Sequence, residues 1–166
     1  MGSIPKGDEI RKDWQDWKIE YKKKLSTIAN VEFADGDAWK DESRPFELVG
    51  HDANLVKTAD IIVVNAEVKL GAGTAQEMVT AKYFSRPVVS VIPKDTHHRR
   101  SNLVFDGKKM DEWIHPFILT FSDAVVENID ECVMWVRDFV NNPGDKKIKD
   151  ISVVDEAIAA YLKTTK

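Results

Sequence analysis

Blocks of apolar residues alternate with polar segments along the chain in a pattern that predicts a βαβ unit. An apolar run at positions 61–64 is followed by the segment Gly71-Ala72-Gly73, a helical segment that opens at Thr74, and a second apolar run at positions 87–91. Uninterrupted apolar strands of this kind are typical of a parallel sheet covered on both faces. The loop after the first strand therefore lies at the edge where open α/β sheets bind ligands.

Periodicity and breaker residues predict the other elements. Apolar residues at spacings of three and four predict helices over residues 7–30, 45–59, 126–140 and 152–163, and shorter apolar runs predict strands over residues 31–34 and 117–121. The last two helices are expected to be scaffold, and the final one could equally cover a subunit interface. At 166 residues and without an internal repeat, the chain is expected to form one α/β domain over residues 1–166.

Composition and charge exclude several classes of protein. A net charge of −4 argues against a general nucleic-acid binder, whose binding surface would be strongly basic. A single cysteine, Cys132, excludes an internal disulfide framework and a Cys-rich zinc site, and it is typical of a reducing compartment. No apolar run reaches membrane-spanning length, and the first residues lack the apolar core of a signal peptide. We expect a cytoplasmic protein without a membrane or a nucleic-acid polymer as partner.

Glu77 has two interpretations. Thr74 and Glu77 have the spacing of a capping box, in which both side chains satisfy free amides in the first turn of a helix. Alternatively, Glu77 does chemistry, because Gly71 and Gly73 let a ligand approach the backbone closely. A helix N-terminus also keeps a carboxylate ionised, as a nucleophile requires. The spacing alone leaves both interpretations open.

A second carboxylate, Asp52, lies within the apolar arc of the helix predicted over residues 45–59. A carboxylate on that face needs a hydrogen-bonding partner or a polar cavity. It could cap a neighbouring loop. Because the same face meets the sheet, Asp52 could also reach the crevice that Glu77 faces.

Two polar segments carry weaker candidates. Residues 94–102 include His97, His98, Arg99 and Arg100, which could hold a phosphate, or form a solvated loop or a subunit contact. Adjacent histidines cannot face one metal as helical i, i+4 ligands do, so no metal site is predicted. Trp39, in the polar segment 35–44, is either a packing residue or a ligand-stacking residue.

These motifs, taken together, resemble a known enzyme family. The chain reads His51-Asp52-Ala53-Asn54, then Ala59-Asp60 before an apolar strand, then Gly73-Thr74-Ala75-x-Glu77, then Pro87-Val88-Val89. This series is similar to the nucleoside 2-deoxyribosyltransferase family, which includes the deoxynucleoside 5′-monophosphate N-glycosidases. The resemblance covers residues 46–93 well and the remainder loosely.

The resemblance implies a flavodoxin-like three-layer fold with a parallel sheet, a homo-oligomer, and attack on C1′ of a 2′-deoxynucleoside or its 5′-monophosphate, without a metal or organic cofactor. Glu77 matches the nucleophile that forms a deoxyribosyl–enzyme intermediate, and Asp52 matches the aspartate that binds substrate and manages the proton of the base. The other candidate substrate-binding residues are Asn54, Asn65, Gly71, Gly73, Thr74, Arg99 and Asn102. The family commonly completes its pocket with a loop from a neighbouring subunit, and Asn102 lies where such a loop would fall.

The chain departs from the family pattern in two places. Leu70, Gly71 and Ala72 stand where many members have acidic residues. The chain also opens on a segment, residues 2–7, that is similar to the loop after the family's first strand, so that central strand is expected to be truncated or missing. A non-catalytic nucleotide-binding or sensing domain on the same fold is therefore the alternative function. A structural protein, with Glu77 and Asp52 as satisfied polar groups, is the third possibility.

Overall fold

The computed structural model of the protein describes residues 1–2, 4–6, 8–36 and 41–164. Helices and strands follow one another along the described chain in the order α1 Asp8–Arg11, α2 Lys18–Leu25, α3 Pro45–Thr58, β1 Ile62–Asn65, α4 Ala72–Tyr83, β2 Val88–Val91, β3 Arg99–Phe105, β4 Lys108–Ile114, α5 Pro116–Phe121, β5 Ala124–Val126, α6 Ile129–Asn141 and α7 Val153–Thr164. Trp39 lies outside the described residues.

The predicted βαβ unit is confirmed and forms part of a parallel sheet. Strand β2 lies between β1 and β5, and both neighbours run parallel to it, with Ile62 opposite Val88 and Val89 opposite Ala124. All four residues of β2 are buried, as an inner strand of a covered sheet requires. The fold class is therefore α/β.

Helices cover the sheet on both faces, and each face has its own apolar core. Because side chains alternate across a strand, neighbouring residues of β1 and β2 enter different cores. One core joins the sheet to α3, α4 and α5 and includes Val56, Val64, Met78, Val88, Ile118 and Phe121. The other joins it to α2 and α6 and includes Tyr21, Leu25, Val89, Val91, Cys132 and Val136. The result is three layers, with the sheet in the middle.

The first two residues lie beside the outer edge of β1. The α-amino group of Met1 donates to the carbonyl of Val63, and the Asn65 amide donates to the carbonyl of Met1 at 2.7 Å. Gly2 and Asn65 form an isolated parallel bridge. A Cβ on Gly2 would lie 2.7 Å from the Trp17 ring, so only glycine fits between Trp17 and β1.

The helix predicted over residues 7–30 is wrong in its length, because two shorter helices take its place. Helix α1 ends at Arg11 and α2 begins at Lys18. Asp16 accepts a hydrogen bond from the Lys18 amide at 3.0 Å, and this contact favours a new helix start over continuation. Ile10, at the start of the apolar stripe, is 64% exposed, so only the second half of the stripe reaches the core.

Both isolated strand predictions are also wrong. Residues 31–34 form no strand, and three of the four are exposed. Residues 117–121 belong to α5, which has Pro116 in its first turn. Ile118 and Phe121, three apart, are buried while Phe117 is 72% exposed, which is the period of a helix. Short apolar runs do not distinguish the two structures by periodicity alone.

The strand that completes the sheet is β5. It ends at Val126, which is the first residue of the helix predicted over residues 126–140. Helix α6 begins only at Ile129, because Asn128 caps it by accepting from the Glu131 amide at 3.0 Å. The predicted last helix is confirmed as α7, yet none of its residues is buried in the single chain. Only Val153, at its start, is partly buried and packs against the core, so the rest of α7 contributes little to the scaffold of the single chain.

A β-hairpin follows β2 and lies outside the parallel sheet. Strands β3 and β4 pair antiparallel with each other, from Arg99 opposite Ile114 to Phe105 opposite Lys108. The connecting residues Asp106 and Gly107 have φ values of 51° and 73°, as a two-residue type I′ turn requires. The Asp-Gly dipeptide is a known hairpin signal in the sequence, although the predicted elements do not include this hairpin.

A buried ion pair joins several elements at the end of the sheet opposite the Gly-rich segment. Lys82 and Asp123 form a salt bridge with side chains that are 0% and 1% exposed. Asp123 also accepts from the amides of Val88 and Lys149, each at 2.7 Å. The ammonium group of Lys82 donates to the carbonyl of Arg86 at 2.9 Å. Because all these polar groups are paired, the cluster links α4, β2, β5 and the segment before α7.

Candidate functional site

Helix α4 carries Glu77, and its start decides between the two interpretations of that residue. The helix begins at Ala72, and Gly71, in an extended conformation, is its N-cap without a side-chain cap. Thr74 is thus already inside the first turn, and Glu77 lies in the second turn. The prediction that Glu77 lies in the first turn is therefore wrong. The interpretation of Thr74 and Glu77 as a capping box is wrong as well. Gly71, and not Thr74, ends the loop because an N-cap needs only an extended backbone.

The Glu77 carboxylate is partly buried, and within the described chain no hydrogen bond to it is found. Burial raises the pKa of Glu77 above its ordinary value of 4.5. The α-amino group of Met1 and the ammonium of Lys6 oppose this shift, while the negative charge of Asp52 adds to it. A carboxylate of this kind is costly to bury and is available to react with a ligand.

Asp52 lies on α3, and its charge acts on Glu77. One oxygen of Asp52 is 2.9 Å from Nδ1 of His51. A Cβ on Gly36 would lie 3.7 Å from the same oxygen, so the loop before α3 passes close to this carboxylate. The structure therefore places the two predicted carboxylates close enough for the charge of Asp52 to raise the pKa of Glu77. Unlike Glu77, Asp52 has a polar partner, His51.

Gly71 and Gly73 lie at the amino end of α4, the helix that carries Glu77. A Cβ at either position would meet nothing within 4 Å. Neither glycine has a positive φ, so the fold itself requires no glycine at these positions. The space above the loop is open to a ligand. Thr74, the next candidate, is buried at 6% exposure under the same turn.

Asn65 ends β1 and shapes the start of the loop. Its side-chain oxygen accepts from the Glu67 amide at 3.0 Å, which is the geometry of an Asx turn. Glu67 in turn accepts from the Tyr21 hydroxyl at 2.7 Å. The apolar stripe of the sequence predicts only a packing role for Tyr21, although a buried tyrosine hydroxyl usually has a partner. Lys6 is also absent from the predicted candidates, because nothing in its local sequence indicates that its charge acts on Glu77.

The remaining candidates do not join this group. Asn54 is exposed, and it lies about 200° around the axis of α3 from Asp52. Asn102 is an exposed residue of the hairpin with a φ of 52°. Arg99 is already engaged, since its guanidinium pairs with Glu112 and donates to the carbonyl of Ile92 at 3.1 Å. In the described chain, no hydrogen bond or ion pair joins these three residues to Glu77.

A surface depression lies at the base of the hairpin, in the polar segment that could hold a phosphate or form a solvated loop or a subunit contact. It has a volume of about 430 Å³ and is lined by Asp95, Thr96, His97, Arg100 and Ser101. Its basic members are His97 and Arg100, since Arg99 is turned towards Glu112. Neither Glu77 nor the Gly71–Gly73 segment at the amino end of α4 is part of this lining.

Within the described ranges, no group of three or more histidine, cysteine, aspartate or glutamate residues is arranged to hold a metal ion. No described helix is both long and apolar enough to cross a bilayer. Cys132 lies in the core, and burial raises the pKa of its thiol to about 12. Its thiol is therefore protonated and unreactive at neutral pH.

Comparison with known proteins adds no relative to this picture. No protein-family model matches the chain, and neither a curated protein nor a solved structure matches it.

Proposed function

We propose that the protein cleaves or transfers the N-glycosidic bond of a 2′-deoxynucleoside or its 5′-monophosphate, with Glu77 as nucleophile. The observation that carries the proposal is the Glu77 carboxylate itself. It is partly buried, it caps nothing, and the charge of Asp52 acts on it beside an open glycine loop. The similarity of the motifs around Asp52 and Glu77 to the nucleoside 2-deoxyribosyltransferases supplies the substrate class.

In the proposed reaction, an oxygen of Glu77 attacks C1′ of the deoxyribose, and the bond between C1′ and the base breaks. The base leaves with the bonding electron pair and takes up a proton from the carboxyl group of Asp52, whose partner His51 lies at 2.9 Å. The attacking water or second base returns a proton to Asp52 in the second step. Water, or the nitrogen of a second base, then attacks C1′ and releases Glu77. This two-step route needs neither a metal nor an organic cofactor.

The ionisation of Glu77 sets the pH range of this chemistry. Only the carboxylate is nucleophilic, and burial raises the pKa of Glu77, so the protonated form persists above the usual range. Lys6 and the Met1 α-amino group favour the carboxylate and partly offset the burial. The helix dipole adds less, because its effect falls off beyond the first turn. We expect activity to rise with pH as Glu77 loses its proton.

The experiment that tests the proposal is incubation of the purified chain with a panel of deoxynucleosides and deoxynucleoside 5′-monophosphates, with and without an acceptor base. Chromatography of the products detects free base and exchanged nucleoside. Glu77→Gln should abolish turnover, and Asp52→Asn should lower it by about 100-fold, the usual scale of a general acid–base contribution. Glu32→Gln, at an exposed position away from α4, is the matched control and should turn over substrate like the wild-type protein.

The same panel separates the alternative function. A non-catalytic nucleotide-binding or sensing domain would be stabilised thermally by one of the ligands without releasing any base. Turnover that survives in Glu77→Gln would remove Glu77 as the nucleophile.

The proposal extends to the fold and the assembly. We propose that the three layers form a flavodoxin-like fold and that the protein is a cytoplasmic homo-oligomer. Exposed apolar side chains support an assembly, since Phe105 of the hairpin is 72% exposed and Ile158 and Tyr161 of α7 are 51% and 65% exposed. Asn102 could then reach the site of a neighbouring copy. Light scattering of the purified chain measures the number of subunits.

A further inference from the structure

A histidine that has no part in the proposed reaction, His98, forms a hydrogen bond with the backbone directly before the Gly-rich segment. Nε2 of His98 accepts a hydrogen bond from the Leu70 amide at 2.9 Å. Leu70 directly precedes Gly71, the N-cap of α4, so its amide lies outside the hydrogen-bonding ladder of that helix. His98 is only 6% exposed, and the bond spans 28 positions of sequence.

This bond fixes the tautomer of His98. Because the Leu70 amide donates to Nε2, that nitrogen must have a free lone pair, and the proton of the neutral ring is on Nδ1. Nδ1 is buried, and in the described chain it has no hydrogen-bond partner. A metal at Nδ1 would require a proton on Nε2, which would abolish the contact with Leu70. The ring therefore serves as an acceptor for Leu70 and not as a metal ligand.

The surroundings keep the ring neutral. The His97 and His115 rings meet the His98 ring edge-on, with centroids 4.7 Å and 5.5 Å away, and Lys69 is the other basic group that acts on it. Burial first, and then these basic neighbours, lower the pKa of His98 to about 4. The acceptor form therefore prevails throughout the neutral range.

The backbone of His98 joins the same loop to the hairpin. Its carbonyl accepts from the His115 amide at 2.9 Å, so the residues on either side of the hairpin meet at His98. The neighbouring Arg99 holds the hairpin to the end of β2 by donating to the Ile92 carbonyl at 3.1 Å. A displacement of the hairpin base therefore moves the acceptor of Leu70.

We propose that His98 is a positioning residue, which holds the Leu70–Gly71 backbone through Nε2 and so fixes the amino end of α4, and Glu77 on it, relative to the β3–β4 hairpin. The effect on turnover rests on the proposed function, whereas the effect on the loop does not. The hairpin also carries Asn102, so the same contact couples that candidate residue to the loop.

The test compares His98→Phe, which keeps an aromatic ring without an acceptor, with His98→Gln, whose side-chain oxygen can accept from Leu70. His97→Phe is the matched control, because His97 is the adjacent ring and is exposed. In His98→Phe we expect the Leu70 amide to exchange with solvent about 5- to 10-fold faster, as loss of one hydrogen bond implies. We also expect shifted amide resonances for Gly71, Gly73 and Glu77. His98→Gln should reverse part of both changes, and His97→Phe should show neither.

Turnover gives the second readout. Misplacement of a catalytic group by about 1 Å costs up to about 100-fold, so His98→Phe should lower kcat by about 10- to 100-fold and change KM less. Wild-type Leu70 exchange in His98→Phe would overturn the contact, and faster exchange with unchanged kcat would overturn the positioning role.

The wild-type protein supplies a measurement that does not depend on any variant folding. Nitrogen-15 spectra of the imidazole at pH 7 should show the proton of His98 on Nδ1, and a proton on Nε2 would overturn the inference. If wild-type protein turns over none of the panel, the proposed function fails. The His98 tautomer, the Leu70 exchange rate and the shifts along α4 then still decide whether His98 holds the loop.

Discussion

Replacement of Glu77 by glutamine should stabilise the protein at neutral pH. A partly buried carboxylate without a hydrogen-bond partner destabilises the folded state, and the raised pKa of Glu77 expresses that cost. Glutamine has nearly the same shape but carries no charge to desolvate. The expectation is unusual, because most substitutions of partly buried residues destabilise a protein.

The size of the effect follows from the surroundings of the carboxylate. An unsatisfied buried polar group costs about 1–3 kcal/mol, and a charged one costs more, so glutamine relieves only the excess that is due to the charge. Lys6 and the Met1 α-amino group offset part of this cost, and the carboxylate keeps some contact with solvent. We therefore expect Glu77→Gln to raise the free energy of unfolding by about 1 kcal/mol, which corresponds to about 2–4 °C in Tm for a chain of this length.

The pH dependence has a definite sign. Since the folded state has the higher pKa, the Glu77 side chain favours folding fully below its ordinary pKa of 4.5. That contribution is lost as the pH rises through the folded-state pKa. The advantage of Glu77→Gln should therefore be greatest at pH 7–8 and shrink as the pH falls towards 4.5.

Thermal or urea denaturation of both proteins at a series of pH values measures this difference. Glu32→Gln, at an exposed position, is the control and should have the Tm of the wild-type protein at each pH. A lower Tm for Glu77→Gln at pH 7.5 would refute the reasoning, and so would an advantage that does not change with pH. The first result would mean that the Glu77 charge has a structural partner, and the second that the gain in stability does not come from removing the charge.

Two further predictions follow from other parts of the molecule. Gly73→Ala should keep or raise Tm, because its Cβ meets nothing within 4 Å and alanine favours a helix by about 1 kcal/mol, yet it should weaken ligand binding measured by calorimetry if the substrate contacts this backbone. Unchanged binding would place the ligand elsewhere. Asp123→Ala should lower the free energy of unfolding by about 3–5 kcal/mol in urea denaturation, because it leaves Lys82 as a buried charge without its carboxylate partner. A loss below about 1 kcal/mol would show that water reaches the ammonium group.

Local sequence was sufficient for the elements whose signal is continuous. The apolar runs before and after α4 predicted two parallel strands, and Pro45 with the apolar arc behind it predicted α3. It failed where two structures share one pattern. The apolar run at residues 117–121 fits a strand or a helix equally well. In the structure β5 is the strand that pairs with β2, and the run forms helix α5 instead.

The candidate site divides in the same way. The sequence by itself determined that Glu77 follows a glycine-rich segment and an apolar strand, because neighbours along the chain stay neighbours in a βαβ unit, and it left open whether Asp52 reaches the same place. Only the tertiary structure decided that Glu77 caps nothing, that Lys6 and Asp52 act on its charge, and that His98 holds the loop before it. These contacts join residues far apart in sequence. Spacing along the chain cannot report them, since they depend on how the helices and the hairpin pack on the sheet.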